Sequence, residues 1–326
     1  MRISSLSQYA LGVTAAVAIL AACGGGGGSR LSPDLSTGLQ RSVAPAVHSS
    51  WMAPDAKKKD LLYISNLGNN TITVYSWPKG KLKGALTGFT GVQGLCSDKN
   101  GDIFITNQIY GASQILEYAH GGTSPIATLS DAGYYPSGCS VDPKTGNLAV
   151  ANVYQGNLGI YQHATGSPTY YTDSNIYYGL YSYFFCGYDD NGNVYVDGTN
   201  DGSGGFEFAE LPSGSSAFTD ITLNQHIGFP GGVQWDGKHI AVGDQYGQAI
   251  YQFTISGSKG TEIGSTLLTG SGDVVQFWKQ GPKVVGPDQS NSDVGFWNYP
   301  AGGSSTKTIT NGIDVPVGAT VSKRKK

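Results

Sequence analysis

A recurring turn constrains this chain more than any other feature. A turn ending in Gly and followed by a β-branched or apolar run occurs at Gly101, Gly146, Gly192, Gly237 and Gly281, at intervals of 45, 46, 45 and 44 residues. A fixed period of that length means one supersecondary unit stacked on copies of itself, because a single unit cannot bury its apolar faces alone. Before most of these turns runs a short strand, A: Gly94 to Asp98, Gly138 to Asp142, Phe185 to Asp189, Gly232 to Asp236 and Val274 to Trp278. After each turn comes strand B: Ile103 to Thr106, Leu148 to Ala151, Val194 to Val196, Ile240 to Val242, and Val284 with Val285, each followed closely by Asn or Asp. A third strand, C, ends in aromatic segments such as Tyr75-Ser76-Trp77-Pro78-Lys79-Gly80 and Trp297-Asn298-Tyr299-Pro300-Ala301-Gly302, and a fourth, D, leads into the next unit. Gly supplies 49 of the 326 residues and charged residues only 13%, which excludes long charged helices and acidic disorder and agrees with many tight turns.

Four short antiparallel strands per unit make the blade of a β-propeller. Strand B also occurs at Leu61 to Ser65 with no good A strand before it, whereas the end of the chain, Pro316 to Ser322, reads as an A strand with nothing after it. The economical solution is an all-β, six-bladed propeller over residues 60–322, closed by Val317 to Ser322 pairing with Leu61 to Ser65. Two other readings stay open: Trp51 to Ala53 supplies the missing A strand, or seven blades are present with one degenerate. Unit six is the weakest repeat, since Val274 to Gly281 lacks the Asp of the other units.

The pattern Gly-x-x-x-Asp, turn, Gly, apolar strand, Asn or Asp resembles that of NHL-repeat and YVTN-type propellers over Asp60 to Ser322. That resemblance implies fold, not function. Gluconolactonase-like and regucalcin-like propellers, which are also six-bladed, hold a divalent metal with a Glu from the first blade plus Asn and Asp from later B-strand ends. Here the first Glu is Glu117, followed only by Glu207, Glu210 and Glu262, so the first-blade Glu is missing. Streptogramin-lyase-like propellers use His and Glu around magnesium, and the five His of this chain form no matching cluster. No Gly-x-Ser-x-Gly, His-Glu-x-x-His or phosphate loop occurs either, so no catalytic residue is assigned. A metal-dependent hydrolase of the lactonase class is the alternative to a binding module.

The start of the chain reads as an export signal: Arg2, an apolar stretch from Tyr9 to Ala22, then Leu20-Ala21-Ala22-Cys23, which resembles the lipobox of bacterial lipoproteins. Residues 1–22 are expected to be a signal peptide and residues 23–59 a flexible tether with lipidated Cys23, followed by the propeller and a basic tail over 323–326. The expected location is the bacterial cell envelope, lipid-anchored on the extracytoplasmic side. The basic runs Lys57 to Lys59 and Lys323 to Lys326 are expected to meet on one face, from which the tether also leaves, so that this face turns toward anionic headgroups. Of the other cysteines, Cys139 and Cys186 sit three residues before their turn Asp and Cys96 two before Asp98, so Cys96 is expected to face the other way. With equivalent positions on neighbouring blades too far apart for a disulfide, all three are expected to be small buried packing residues.

Formal charge of −3 offers no basic excess to neutralise a run of phosphates, which disfavours nucleic acid as a partner. The B-strand ends and the D-to-A connections share one face, and there stand Asn66, Asn107, Asn152, Asp197, Asp244 and Asp288. A ring of three amides and three carboxylates has the donors for a polyol or a divalent cation such as Ca2+, although no cofactor is required by the sequence. The competing reading is that each side chain caps its own B-to-C turn. On the same face lie Tyr134 and Tyr135, Tyr177 and Tyr178, Tyr181, Tyr183 and Phe229, which point to stacking on glycans or to a protein-binding patch, against a packing role between blades that is the favoured reading for Tyr183, Phe184 and Phe185 on the strand itself. Asp197 to Gly202 has partial calcium-loop spacing but Phe208 where a Glu should close it. The chain is expected to be a monomer.

Overall fold

A computed structural model describes residues 49–325 apart from 155, 176–178 and 202; Cys23, Tyr177, Tyr178 and the leader lie outside the described residues. Six antiparallel sheets follow one another around a ring. Blade one takes its A strand from the end of the chain, Pro316–Ser322, and its B, C and D strands from Leu61–Asn66, Thr71–Ser76 and Lys81–Leu86. The register runs from Leu61 opposite Ser322 to Ser65 opposite Gly318, so the ends of the domain close the ring as the repeat count requires. All seven residues of Pro316–Ser322 are buried.

Blades two to four repeat the plan with A strands Val92–Ser97, Pro136–Val141 and Ser182–Tyr188 and B strands Ile103–Asn107, Leu148–Asn152 and Val194–Thr199. Blade five, built on Pro230–Trp235 and Ile240–Asp244, is widened at its outer edge. There Lys259–Thr269 pairs in parallel with Thr222–Leu223 and with Gly303–Ser304, which comes from blade six. The turn glycines 101, 146, 192, 237 and 281 all have positive φ, the conformation that makes Gly necessary at those points and gives the repeat its punctuation. The Asp closing strand A accepts backbone N–H groups across the A-to-B turn: Asp98 from Asn100 and Asp102, Asp189 from Asn191 and Asn193, Asp236 from Lys238 and His239.

Small residues let the inner strands crowd the axis. A Cβ on Gly94 would lie 2.5 Å from the Ser137 carbonyl oxygen, and one on Gly318 would lie 2.6 Å from that of Gln93. In blade six the expected strand Val274 to Trp278 is not regular; pairing is confined to Trp278–Gln280 and an isolated bridge from Val274 to Asp288. Gln276 lies between these two points of pairing. Its side chain accepts from Leu95 N at 3.1 Å and Ala319 N at 3.2 Å and donates to Leu95 O at 2.9 Å, tying blade six to the inner strands of blades one and two.

Three expectations are corrected. Trp51–Met52 is not an A strand; it pairs with Lys81–Leu86 as an outermost fifth strand of blade one, Trp51 opposite Ala85. Ser50 Oγ accepts from Thr87 N, so the first described residues join the domain at the B-to-C end of the D strand, not on the A-to-B face that carries the basic runs. They then pass along the blade edge to Lys57, Lys58 and Lys59, which lie with the tail on that A-to-B face: Arg324 N donates to Asp60, and His120 bridges the Lys59 carbonyl and the Ser322 hydroxyl.

The third correction is a disulfide between Cys96 and Cys139, with Cα atoms 5.6 Å apart. The one-residue register offset that argued against pairing is what permits it. The offset sends Cys96 out of blade two toward blade three and Cys139 back toward blade two, and both sit in one apolar cluster with Phe104, Ile115 and Tyr161. The close approach at Gly94 and Gly138 supplies the short Cα separation. Cys186, in the register of Cys139, faces back toward blade three and donates its thiol to Ala149 O at 3.6 Å; it is a buried free thiol, and burial pushes its pKa up beyond the range in which a thiolate forms.

Candidate functional site

The face formed by the B-to-C turns and the D-to-A connections holds both sets of residues singled out in the sequence, in opposite circumstances. Asn66, Asn107, Asn152, Asp197, Asp244 and Asp288 stand at or near the ends of their B strands, and none is more than 6% exposed. Their polar atoms are turned inward. Asn107 Oδ1 accepts from Thr90 N and Gly91 N, the two residues that lead into strand A of the same blade. Asn66 Oδ1 accepts from Asp314 N while its amide donates to Thr73 Oγ1 at 2.7 Å. Asp244 Oδ1 accepts from Phe229 N and Tyr246 N; Asp288 accepts from Gly272 N, Asp273 N and both donors of Asn291. Asn152 donates to Asn157 Oδ1 at 2.8 Å, and Asp197 Oδ1 accepts from Phe185 N at 2.8 Å.

Four of these six side chains share a logic. A D-to-A connection arrives with backbone N–H groups that have no strand partner, and a short polar side chain at the adjacent B-strand end accepts them. The turn-capping reading is thus right in kind and too narrow in place: Asp244 and Asp288 reach their B-to-C turns, but Asn66, Asn107, Asp244 and Asp288 all hold the chain entering strand A. Asp197 is driven well above the ordinary carboxylate range by desolvation, against which its backbone donors act. Asp273, beside Asp288, is pushed up to about 6 by burial and by that neighbouring charge.

The loop that suggested a calcium site is organised differently. Asp197, Gly198 and Thr199 belong to the strand Val194–Thr199, with the Asp197 carboxyl directed to Phe185. Asn200 Oδ1 accepts from Ser203 N and Gly204 N, and its amide donates to Glu207 at 2.6 Å. Among the described residues no group of three or more His, Cys, Asp or Glu side chains is arranged to hold a metal ion.

The aromatic residues lie above this polar layer. Tyr135 in the connection to blade three packs edge-on against Tyr154 in the next turn, ring centroids 5.4 Å apart. Phe229 in the connection to blade five lies between Phe184 at 5.4 Å and Tyr246 at 5.2 Å, the latter stacked. Tyr134 packs on Tyr170 at 4.4 Å. Tyr135 and Phe229 are half-buried supports, whereas Tyr181 is 36%, Tyr154 61%, Tyr246 71% and Tyr110 91% exposed. Blades two to five together present a crescent of aromatic side chains with apolar ring faces and free phenol ends. Tyr183 and Phe185, on the strand itself, are buried packing residues.

Tyr110, Tyr154 and Tyr246 were not singled out in the sequence, although a signal was present. Each follows a B-strand Asn or Asp by two or three residues: Asn107 to Tyr110, Asn152 to Tyr154, Asp244 to Tyr246. An Asx that is spent inward while the tip of its turn carries Tyr outward is a repeat-level pattern of its own.

No family model matches the sequence and no curated protein is similar to it. Solved structures do share the fold. One, described as the crystal structure of a nidogen/laminin complex, superposes with a TM-score of 0.66 over 82% of this chain and 100% of that one, at 12% sequence identity. Likeness at that identity establishes the six-bladed architecture.

Proposed function

We propose that this chain is an extracytoplasmic interaction module of the NHL/YVTN propeller type, held to a bacterial membrane through lipid on Cys23, and that its aromatic crescent binds a protein partner. The observation that carries this reading is the exposure of Tyr110, Tyr154, Tyr181 and Tyr246 on one face of a fold whose other large side chains are mostly buried. Tyr is favoured at interfaces because one ring buries a large area at low entropic cost and keeps a hydroxyl for a directional bond. The nidogen/laminin structure is a propeller in a complex, which is consistent with this use of the fold.

A glycan ligand is less well served. Recognition of a sugar needs polar side chains beside the stacking ring, and five of the six Asx residues of this face are buried and accept from backbone donors, while buried Asn152 is bonded to Asn157. The same commitment takes from the metal-dependent hydrolase reading the side chains it requires. The leader supports export: Leu20-Ala21-Ala22-Cys23 follows an apolar stretch.

Two experiments test the proposal separately. Palmitate labelling of cells expressing the full chain should be lost in Cys23→Ser; label retained by that variant removes the anchor. Photocrosslinking from position 154 or 246 in intact cells should yield a discrete protein adduct that is absent when the crosslinker is placed at exposed Ile126 on the outer strand Pro125–Ser130. Equal adducts from both places, or adducts to polysaccharide alone, overturn the protein-binding reading.

A further inference from the structure

The opposite face carries two grooves at equivalent places between blades. One, of about 270 Å3, lies between blades two and three; the other, of about 480 Å3, lies between blades five and six. Strand register makes their linings comparable position by position. Asp98 corresponds to Asp236 as the residue that caps the A-to-B turn. Glu117, opposite Phe104, corresponds to Gln252, opposite Ala241; Val141, opposite Leu148, corresponds to Lys279, opposite Val284. His163 corresponds to Tyr299, each two residues past the end of the matched B-to-C pairing.

Those replacements reverse the character of the groove. The blade two/three groove is lined by the acids Asp98, Asp102, Glu117 and Asp142, and burial together with Asp102 and Asp98 pushes the Glu117 carboxyl up. In the blade five/six groove the one acid, Asp236, is already saturated. Its Oδ1 accepts from Lys238 N and His239 N and its Oδ2 from Tyr299 Oη at 2.8 Å; burial raises its pKa, but these bonds together hold it below the ordinary carboxylate value. The basic groups are not saturated. Among the described residues neither Lys238 nor Lys279 has a carboxylate within ion-pairing distance. Lys279 Nζ donates to the Asp236 carbonyl and stands 5.6 Å above the Tyr299 ring, which leaves two of its three N–H groups for another acceptor. The groove is also lined by Pro282, Pro300 and half-exposed Ile263.

We propose that the groove between blades five and six is a second binding site, distinct from the aromatic crescent, for a small organic anion with a flat apolar body, such as an aromatic monocarboxylate. The ligand's ring lies against Pro300 and Ile263 and its carboxylate accepts from Lys279 and Lys238. Lysine, with three rotatable donors, suits a carboxylate whose orientation is set mainly by the ring.

Isothermal titration of the purified full chain with benzoate, benzamide and inorganic phosphate tests this. Benzoate is expected to bind at one site, with benzamide and phosphate at least 10-fold weaker, because one lacks the charge and the other the apolar body. Lys279→Val installs the residue of the sister groove and should weaken benzoate at least 10-fold. Should that variant fold poorly, exposed Lys238→Glu reads the same loss without disturbing a buried contact. Unchanged benzoate affinity in the folded variants, or benzamide binding as tightly as benzoate, overturns the proposal. Photocrosslinking from position 246 serves as the independent readout of the crescent.

Discussion

The buried Asx ring and the aromatic crescent share one face of the propeller and are separated by little more than one side chain, yet they have opposite fates. The first is at most 6% exposed and, Asn152 apart, bonded to backbone; the second reaches 91% exposure at Tyr110. A ring of Asn and Asp at the ends of equivalent strands looks like a site because it is polar and symmetric. Its symmetry is that of the fold, however, because in four of the six blades the Asx side chain meets N–H groups left unpaired where the chain turns into strand A. The crescent is asymmetric, present on blades two to five, and it is paid for by no packing contact that the blade needs. On a repeat protein the feature that departs from the repeat is the better pointer to function.

The harshest way to break this comparison is to remove the ring on which both layers rest. Deleting Pro316–Ser322 strips blade one of a wholly buried strand, and the expected outcome is loss of cooperative unfolding by circular dichroism. Next in size is the disulfide, which closes a loop between positions 43 residues apart. Replacing Cys96 and Cys139 by Ser should cost about 2–4 kcal/mol in chemical denaturation while leaving adducts from position 246 unchanged.

Asn107→Leu sharpens the comparison directly, since it orphans the N–H groups of Thr90 and Gly91. At about 1–3 kcal/mol for a buried polar group left without a partner, it should lower stability measurably with no change in partner binding. A smaller effect follows from pH. Burial raises Asp197 and Asp273, so the folded state keeps protons that the unfolded chain releases, and stability falls as pH rises above the unfolded value near 3.8. For Asp273 that loss is complete above about pH 6, so Asp273→Asn should flatten the melting temperature between pH 4 and 7. A steeper slope in that variant would refute the assignment. The smallest stability effect is expected in the crescent: Tyr154→Ala and Tyr246→Ala should stay within about 0.5 kcal/mol of the parent by denaturation and still abolish crosslinking to the partner.

Much of the fold was legible because the repeat writes it many times. Positive-φ glycines at 101, 146, 192, 237 and 281, and the capping Asp at every one of these turns but the last, are local requirements, so they appear in the sequence turn after turn. The closing strand was legible by count, an A strand without a B and a B strand without an A. The start of the domain was not. Trp51–Met52 carries no period, and only pairing with Lys81–Leu86 shows that the chain joins at the outer edge.

The amino-acid sequence by itself determined an all-β ring of repeated four-stranded blades and which residue types stand on the B-strand face, because each depends on patterns within one unit; the structure chose six blades and closure by the last strand over the alternatives. Tertiary structure alone decided which of those residues are spent on backbone and which are free, that Cys96 meets Cys139, and that Gln276 ties blade six to the inner strands of two others. Those outcomes depend on distances between blades, set by how closely small residues such as Gly94, Gly138 and Gly318 let neighbouring backbones approach, and no single repeat encodes its distance from the next.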